Sequence, residues 1–272
     1  METILQERSR RIRQLTVKAI GHLGVGHIGG CLSVADVLAV LYFDAMRIDP
    51  GDPKMEGRDR LIVSKGHSGP AVYAALVLRG YLPESELYTL NRLGTKLPSH
   101  CDMNRTTGID MTTGSLGQGF SCAVGAAIGG KLRADGANIF TIIGDGECQE
   151  GQIWEAAMLA AHKKLDNLIA FTDLNGFQID GAVDRVNSLG DLAAKWKAFG
   201  WNVREIDGHD HDAIKAAIEA AKGAKGAPHM IILRTVKGKG VSFVEEMGAK
   251  NHNATLSKEQ TELALKELGG EG

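Results

Sequence analysis

The stretch that decides the fold is residues 139–175, IFTIIGDGECQEGQIWEAAMLAAHKKLDNLIAFTDLN. Two short runs of apolar and β-branched residues, 139–143 and 168–172, flank a segment with helical periodicity at about 152–164. A strand, a helix and a second strand in this order are typical of two parallel strands joined by a crossover helix. The stretch therefore predicts an α/β fold built on a parallel sheet.

The first third of the chain is predicted to be mostly helical, and the alternation of strands and helices runs from residue 138 onward. The further predicted strands are 61–64, 202–206 and 229–236, and the further predicted helices are 4–22, 33–45, 68–80, 189–199, 212–222 and 257–268. Ser33 has the residue type of a good N-cap for the second of these helices. We expect a doubly wound, mostly parallel sheet with helices on both faces, forming a single domain over residues 1–272. The tail from about residue 238 is expected to be loosely ordered, and its last residues, 269–272, to fray.

Composition excludes several classes of protein. With 43% hydrophobic residues, 24% charged residues and a net charge of −2, the chain is an ordinary globular sequence with no electrostatic signature for nucleic acid or an anionic membrane. No apolar run approaches the roughly 18 residues that span a bilayer, and the charged N-terminus lacks a secretory signal, so we expect a cytoplasmic protein without a membrane segment. The four cysteines form no C-x-x-C pair and are expected to be reduced thiols.

Polar side chains follow two neighbouring strands of the predicted sheet. Asp145 lies in a Gly-Asp-Gly turn after residues 139–143, and Asn175 follows residues 168–172. Because the carboxyl ends of parallel strands meet at one edge, these side chains should lie side by side. Their oxygens, with backbone carbonyls of the next turn, would suit Mg²⁺ bound to a diphosphate. A Gly-Asp-Gly turn alone is more often structural, and the pairing with Asn175 is what favours a site.

A second glycine-rich stretch, TTGSLGQG at residues 112–119, opens an apolar helix that runs to about residue 131. Bare backbone at a helix start can bind an anion or a cofactor. The alternative is close packing of small-residue helices. The stretch is not a P-loop, because no Gly-Lys-Ser/Thr follows it, and the Gly-Asp-Gly turn lacks the third glycine of a dinucleotide-binding motif.

Three histidines lie in turns of small residues: His27, His67 and His100. Such histidines can point into a cleft and bind hydroxyls or phosphates, although each alone would more often be a surface turn residue. Two other segments are ambiguous. Residues 208–212, GHDHD, resemble a metal-binding tract but are interpreted more simply as a capped turn before a helix. Residues 237–240, KGKG, are either a mobile lid over phosphate or a solvated basic loop.

Together these motifs resemble the transketolase family. Gly144-Asp145-Gly146 followed by Asn175 resembles the thiamine diphosphate motif, and the three histidine turns and TTGSLGQG occur in the order found in transketolases. The resemblance covers about residues 10–240. It extends only to the N-terminal, diphosphate-binding domain, as in transketolases that are split into two subunits. Leu174 and Ser115 depart from residues common in the family, but neither departure is expected to abolish diphosphate binding.

The resemblance implies a set of site residues. Magnesium would be held by Asp145, Asn175 and the Phe177 carbonyl, and the cofactor by His67, Gly114, Ser115, Leu116, Gly146, Glu147, Asn175 and, from a looser alignment, His252. His27 and His100 would face the sugar, and Glu150 would lie near the activating glutamate of the partner. The catalytic residues expected on this chain are therefore His27, His100 and Glu150.

The resemblance also implies cofactors and a partner. The cofactors would be thiamine diphosphate and Mg²⁺, and the partner a C-terminal transketolase subunit with pyrimidine-binding and C-terminal domains, in an α2β2 complex acting on sugar phosphates. The isolated chain is expected to bind cofactor poorly and not to turn over. Two alternatives remain open: a subunit of another thiamine-dependent enzyme for a specialised sugar, such as a sulfonated or branched sugar, and a catalytically silent protein that retains the Mg-phosphate pocket.

Overall fold

The computed structural model describes residues 2–270. Its α-helices are α1 (Ile4–Leu23), α2 (Ile28–Leu32), α3 (Ala35–Val40), α4 (Gly69–Arg79), α5 (Gln118–Arg133), α6 (Gly151–His162), α7 (Val183–Val186), α8 (Leu192–Ala198), α9 (His211–Gly223), α10 (Ser242–Glu246) and α11 (Lys258–Glu267). Its strands are β1 (Val25–Gly26), β2 (Arg60–Val63), β3 (Ile139–Gly144), β4 (Leu168–Leu174), β5 (Phe177–Gln178), β6 (Gly181–Ala182), β7 (Asn202–Asp207), β8 (His229–Arg234) and β9 (Ala254–Thr255). None of the described helices is both long enough and apolar enough to cross a membrane.

Five strands form a parallel sheet in the order β2-β3-β4-β8-β7. The unit β3-α6-β4 predicted from residues 139–175 is present, and its strands pair from Ile139 with Leu168 to Gly144 with Asp173. This register brings the carboxyl ends of β3 and β4 level with each other. The short strands form two antiparallel ribbons outside the sheet, β1 with β9 and β5 with β6.

The sheet is covered by helices on both faces. Because side chains of a strand alternate between faces, β4 contributes Ile169 and Phe171 to one apolar cluster and Leu168 and Ala170 to the other. The first cluster includes residues of α1, α3, α4 and α9, and the second includes residues of α5, α6 and α8. The predicted doubly wound fold with helices on both faces is therefore confirmed.

The segment predicted as one helix over 33–45 is divided. The structure has α2 before it, α3 within it and a π-helical turn at Leu41–Ala45. Ser33 is not an N-cap: it ends α2, and its hydroxyl contacts the Gly30 carbonyl oxygen at 3.2 Å and Asp173 Oδ2 at 2.8 Å. The serine is used for a contact with β4, which sequence spacing does not reveal.

The segment after residue 238 differs from the expected loose tail. It contains α10, a 3₁₀ turn at Gly248–His252, β9 and α11, and α11 packs against α1. A capping box stabilises the start of α11, because the Ser257 side chain accepts the Gln260 N–H and the Gln260 side chain accepts the Ser257 N–H. Of the residues expected to fray, 271 and 272 lie outside the described part of the chain.

Candidate functional site

A cleft of about 310 Å³ opens at the carboxyl ends of the sheet strands. Segments that follow β2, β3, β4 and β8 all contribute to it, as expected for a parallel open sheet. It is lined by His27, Gly30, Lys65, His67, His100, Gly114, Leu116, Gly144, Asp145, Gly146, Glu147, Gln149, Glu150, Asn175, Phe177, Gln178, Ile179, Lys237 and His252. The cleft thus brings together every site residue predicted from the sequence except Ser115.

Asp145 lies directly after β3 and is 2% exposed. Its Oδ1 accepts the Gly146 N–H at 2.8 Å and its Oδ2 accepts the Gly176 N–H at 2.6 Å, so the turns after β3 and β4 are joined through one carboxylate. Burial, followed by the nearby Asp173 carboxylate, raises the pKa of Asp145 to about 6. A cation bound at this carboxylate would favour its ionised form.

Asn175 and Phe177 supply the other two oxygens predicted for a metal. The Asn175 side chain is fixed at both ends, because Nδ2 donates to Asp173 Oδ2 at 2.8 Å and Oδ1 accepts the Phe177 N–H at 3.1 Å. Both residues line the cleft beside Asp145. A carboxylate, an amide and a carbonyl oxygen are hard ligands of the type that Mg²⁺ takes together with phosphate oxygens. The donor set therefore fits the implied metal.

A buried polar network lies under these residues. The Lys65 Nζ is 2.5 Å from Asp173 Oδ2 and 3.0 Å from the Gly30 carbonyl oxygen. The other oxygen of Asp173 accepts the Thr235 hydroxyl at 2.5 Å. Asp173 and Lys65 were not predicted as site residues. Lys65 lies two residues after the end of β2, so the same rule about strand ends that identified Asp145 applies to it.

Four histidines cluster in the cleft: His27, His67, His100 and His252. Ring centroids are 4.8 Å apart for His67 and His252, and 5.4 to 5.5 Å from His27 to each of the other three rings. Burial is the largest cause lowering the pKa of each ring, to about 3 for His252, with neighbouring lysines or histidines adding to the shift in three of them. The four imidazoles are therefore neutral at pH 7 and can exchange hydrogen bonds with hydroxyl groups.

The loop 112–119 reaches the cleft through Gly114 and Leu116, whereas Ser115 between them does not line it. The loop packs tightly on the turn after β2: a Cβ at Gly66 would lie 2.7 Å from the Thr113 carbonyl. Gly117, the N-cap of α5, has φ +83°, a conformation that favours glycine. The glycine pattern thus serves both close packing and the placement of bare backbone at the cleft.

The two glutamates of this region differ in environment. Glu147 is buried, and its carboxylate accepts three donors: the Ser64 hydroxyl at 2.5 Å, the Gly117 N–H at 2.8 Å and the Gly144 N–H at 3.0 Å. Glu147 therefore connects the loop 112–119, which precedes α5, to the end of β3. Glu150 is exposed at the N-cap of α6, on the lining of the cleft. Its side chain is accessible to an approaching partner.

Lys237 is a cleft residue that the sequence did not assign to the site. It is 4% exposed, and its Nζ lies 3.3 Å from the Phe177 carbonyl oxygen and 3.4 Å from His252 Nδ1. Burial, followed by the charge of Lys65, lowers its pKa to about 8. The burial of Lys237 contradicts the interpretation of residues 237–240 as a solvated loop, and the interpretation as a lid stays a prediction. Lys237 lies shortly after β8, so the rule that sites form at strand ends could have predicted it as a site residue.

The other candidate segment, residues 208–212, is a capped turn as predicted. The Asp210 side chain accepts the N–H groups of Asp212 and Ala213 at the start of α9. Within residues 2–270, no group of three or more His, Cys, Asp or Glu side chains is arranged to hold a metal. The four cysteines are free thiols.

Comparison with known proteins agrees with this geometry. Residues 4–272 match the family described as "Transketolase, thiamine diphosphate binding domain". The chain is 58% identical to the 6-deoxy-6-sulfo-D-fructose transketolase subunit SqwG of Clostridium sp. (strain MSTE9), covering 98% of this chain and 97% of the relative. It is 39% identical to an apulose-4-phosphate transketolase subunit of Phocaeicola vulgatus, covering 97% and 93%.

A solved structure extends the comparison to a longer protein. Transketolase from Campylobacter jejuni superposes with a TM-score of 0.92 at 34% identity, covering 98% of this chain and 43% of that chain. The chain thus spans less than half of that transketolase but nearly all of the two subunits. The resemblance identified from the sequence motifs is confirmed. The chain belongs to the transketolase N-terminal family, the thiamine diphosphate binding domain of transketolases.

Proposed function

We propose that this chain is the N-terminal subunit of a two-component transketolase, which transfers a two-carbon ketol unit between sugars with thiamine diphosphate and Mg²⁺. The observation that carries the proposal is the joint placement of Asp145, Asn175 and the Phe177 carbonyl in one cleft with two buried lysines and four neutral histidines. Oxygen ligands for a cation beside buried positive charge are what a magnesium diphosphate group requires.

Each group has a separate task. Asp145, Asn175 and Phe177 would hold the metal, while Gly114, Leu116 and Gly146 offer backbone to the cofactor, with His67 beside them. Lys65 and Lys237 add positive charge to the cleft that an anion would meet. When bound, thiamine diphosphate supplies the site that stabilises a carbanion, and the protein orients it.

His27 and His100 would bind the sugar. Their ring centroids are 5.5 Å apart, and their pKa values are lowered chiefly by burial, so both rings are neutral donors and acceptors for sugar hydroxyls at pH 7. Glu150, exposed at the cleft, would face the partner subunit. That partner would carry the pyrimidine-binding and C-terminal domains, and we propose an α2β2 complex, which light scattering of the co-purified subunits would test.

The relatives favour a specialised substrate. The name of the 58% identical relative specifies 6-deoxy-6-sulfo-D-fructose, and that of the 39% identical relative specifies apulose 4-phosphate. We therefore propose a sulfonated ketose as the donor, with sugar phosphates such as xylulose 5-phosphate as the alternative.

The test is ketol transfer by the co-expressed complex with thiamine diphosphate and Mg²⁺. Transfer to ribose 5-phosphate is followed from 6-deoxy-6-sulfo-D-fructose and, in parallel, from xylulose 5-phosphate. Faster transfer from the sulfonated donor supports the proposed substrate, and the reverse order supports a sugar-phosphate transketolase. Absence of transfer from either donor by a complex with bound cofactor would contradict the proposal and favour a catalytically silent protein. The isolated chain is the control and is expected to be inactive.

A further inference from the structure

The segment 235–238 carries Lys237 into the cleft, and hydrogen bonds hold it at each position. The Thr235 hydroxyl donates to Asp173, and the Gly238 N–H donates to the Gly29 carbonyl at 3.0 Å. The Lys237 carbonyl accepts from the Asn251 amide at 3.3 Å. The segment belongs to no helix or strand, but these hydrogen bonds fix the position of its backbone.

A fourth hydrogen bond, at Val236, comes from a residue outside the cleft. The Val236 N–H donates to Nε2 of His209 at 2.9 Å, and His209 lies in the turn before α9. The Val236 side chain is 39% exposed, so its apolar burial contributes little to fixing the segment. The Thr235 N–H donates to the Leu174 carbonyl and the Val236 carbonyl accepts the Lys239 N–H, both at 3.2 Å, so His209 is the side-chain contact at the backbone immediately before Lys237.

His209 is itself held rigidly. Because its Nε2 accepts a backbone N–H, its ring proton lies on Nδ1, which is 2.7 Å from Asp36 Oδ2. Asp36 is 3% exposed on α3 and is paired with Arg13 of α1, whose Nη2 is 2.5 Å from Oδ2. Burial acts to raise the pKa of Asp36. Nevertheless Arg13, together with hydrogen bonds from His209 and His211, holds this pKa well below its usual value. The carboxylate is thus a permanent acceptor for the His209 ring.

We propose that His209 is a positioning residue: its Nε2 fixes the Val236 backbone and thereby holds the Lys237 ammonium in the cleft to receive an anionic diphosphate. This inference rests on the proposed function only in the identity of the anion. It assigns a function to a histidine that lies outside the cleft and does not touch the site residues.

Two substitutions separate the two hydrogen bonds of the ring. In His209→Asn the side-chain amide lies at the level of Nδ1, so it can still donate to Asp36 but cannot reach Val236. In His209→Gln the amide oxygen lies at the level of Nε2, so it can accept the Val236 N–H while the bond to Asp36 is lost. Each variant loses one hydrogen bond, so a purely structural role predicts the same effect for both.

The matched control is His211→Ala. His211 approaches the same carboxylate, with Nε2 3.3 Å from Asp36 Oδ1, but its other contact is the Ser9 hydroxyl at 3.1 Å, away from the cleft. The His211→Ala substitution therefore perturbs the surroundings of the Asp36 carboxylate without removing a contact to the segment 235–238.

Two measurements test the proposal. Amide hydrogen exchange of residues 235–238 is followed in the full chain, and the Kd of thiamine diphosphate with Mg²⁺ is measured by calorimetry on the complex with the C-terminal subunit. We expect His209→Asn to speed exchange and to weaken cofactor binding roughly three- to tenfold, the effect of one hydrogen bond. His209→Gln and His211→Ala should stay within about twofold of the wild type.

The outcomes are distinguishable. Unchanged exchange and affinity in His209→Asn, or equal losses in all three variants, would overturn the positioning role. Faster exchange in His209→Asn with unchanged cofactor affinity would also overturn it, because the backbone would then be fixed without consequence for the ligand. A wild-type complex that binds no thiamine diphosphate would instead refute the proposed function, and inorganic pyrophosphate with Mg²⁺ would replace it as the probe of the same lysine.

Discussion

Lys65 and Asp173 form an ion pair at the floor of the cleft, with 2.5 Å between Nζ and Oδ2 and side chains that are 2% and 0% exposed. The same Oδ2 lies 2.8 Å from the Asn175 amide nitrogen. Although burial acts to raise the pKa of Asp173, the Lys65 ammonium holds it below its usual value. One carboxylate therefore both compensates a buried cation and orients an amide that is predicted to bind the metal.

Asp173→Asn should destabilise the chain strongly. The substitution removes the carboxylate that is paired with the buried Lys65 ammonium, and breaking a buried pair in this way typically costs about 3–5 kcal/mol. Urea unfolding of the full chain measures it. The control is the double variant Lys65→Met with Asp173→Leu, which removes both charges and should recover much of the loss. An Asp173→Asn variant as stable as the wild type would show that the pair does not matter for folding.

Asp145→Ala should leave the fold intact and abolish metal-dependent cofactor binding. Burial raises the pKa of this carboxyl to about 6, so its ionised form is less favourable in the folded chain than in the unfolded one, and what its removal costs is two hydrogen bonds, about 1–3 kcal/mol. Cofactor affinity of the complex with Mg²⁺ should fall by more than about 100-fold, the upper end of losses caused by outer-shell residues. Asp180→Ala, which removes an exposed acid from the turn between β5 and β6, is the control, and retained affinity in Asp145→Ala would refute the metal assignment.

The sequence predicted the strand-end part of the site and missed the part made by buried charges. Asp145 and Asn175 could be found because parallel strands joined by a helix place their carboxyl ends together, and the register of Gly144 with Asp173 bears this out. Asp173 directly follows the predicted strand 168–172, and its partner Lys65 is 108 residues away in the sequence. Both residues follow predicted strand ends, but nothing local indicates that they pair, because a buried ion pair is specified by tertiary packing.

The same reasoning explains the errors in the tail. The glycines and charges after residue 238 are typical of a loose segment, yet Asn251 is fully buried against α10 and donates to the Val244 carbonyl at 2.8 Å. Such contacts depend on a preformed surface of helices. Local composition can therefore identify a segment without regular periodicity, but it cannot show whether the rest of the fold holds that segment in place.

Lys237→Met should weaken binding of the magnesium diphosphate group without loss of stability. The substitution removes a buried ammonium whose pKa is lowered to about 8 by burial and by Lys65, so the fold loses no stabilising charge. We expect cofactor affinity to fall roughly tenfold or more, since a charge-assisted contact contributes about 1.5–3 kcal/mol. Lys239→Met, which removes a lysine of the same loop that does not line the cleft, should bind normally. Equal affinity in the two variants would remove Lys237 from the site.

The histidine cluster should make the chain sensitive to mild acid. The pKa values of His27, His67, His100 and His252 are all lowered in the folded state, chiefly by burial, whereas unfolded histidines titrate near 6.5. Below about pH 6.5 the unfolded state therefore binds more protons, and the free energy of unfolding decreases as the pH falls, by about 1.4 kcal/mol per pH unit for each extra proton.

Urea unfolding at several pH values between about 7.5 and 5 measures this dependence across the range in which unfolded histidines become protonated. In His252→Gln the decrease should be shallower, because one of the rings that resists protonation is absent and its pKa in the folded chain is lowered to about 3. His162→Gln, which replaces an exposed histidine at the end of α6, should reproduce the wild-type slope. If the two variants have the same slope, the acid sensitivity does not arise from the cleft, and the neutrality of its four rings would have to be established separately.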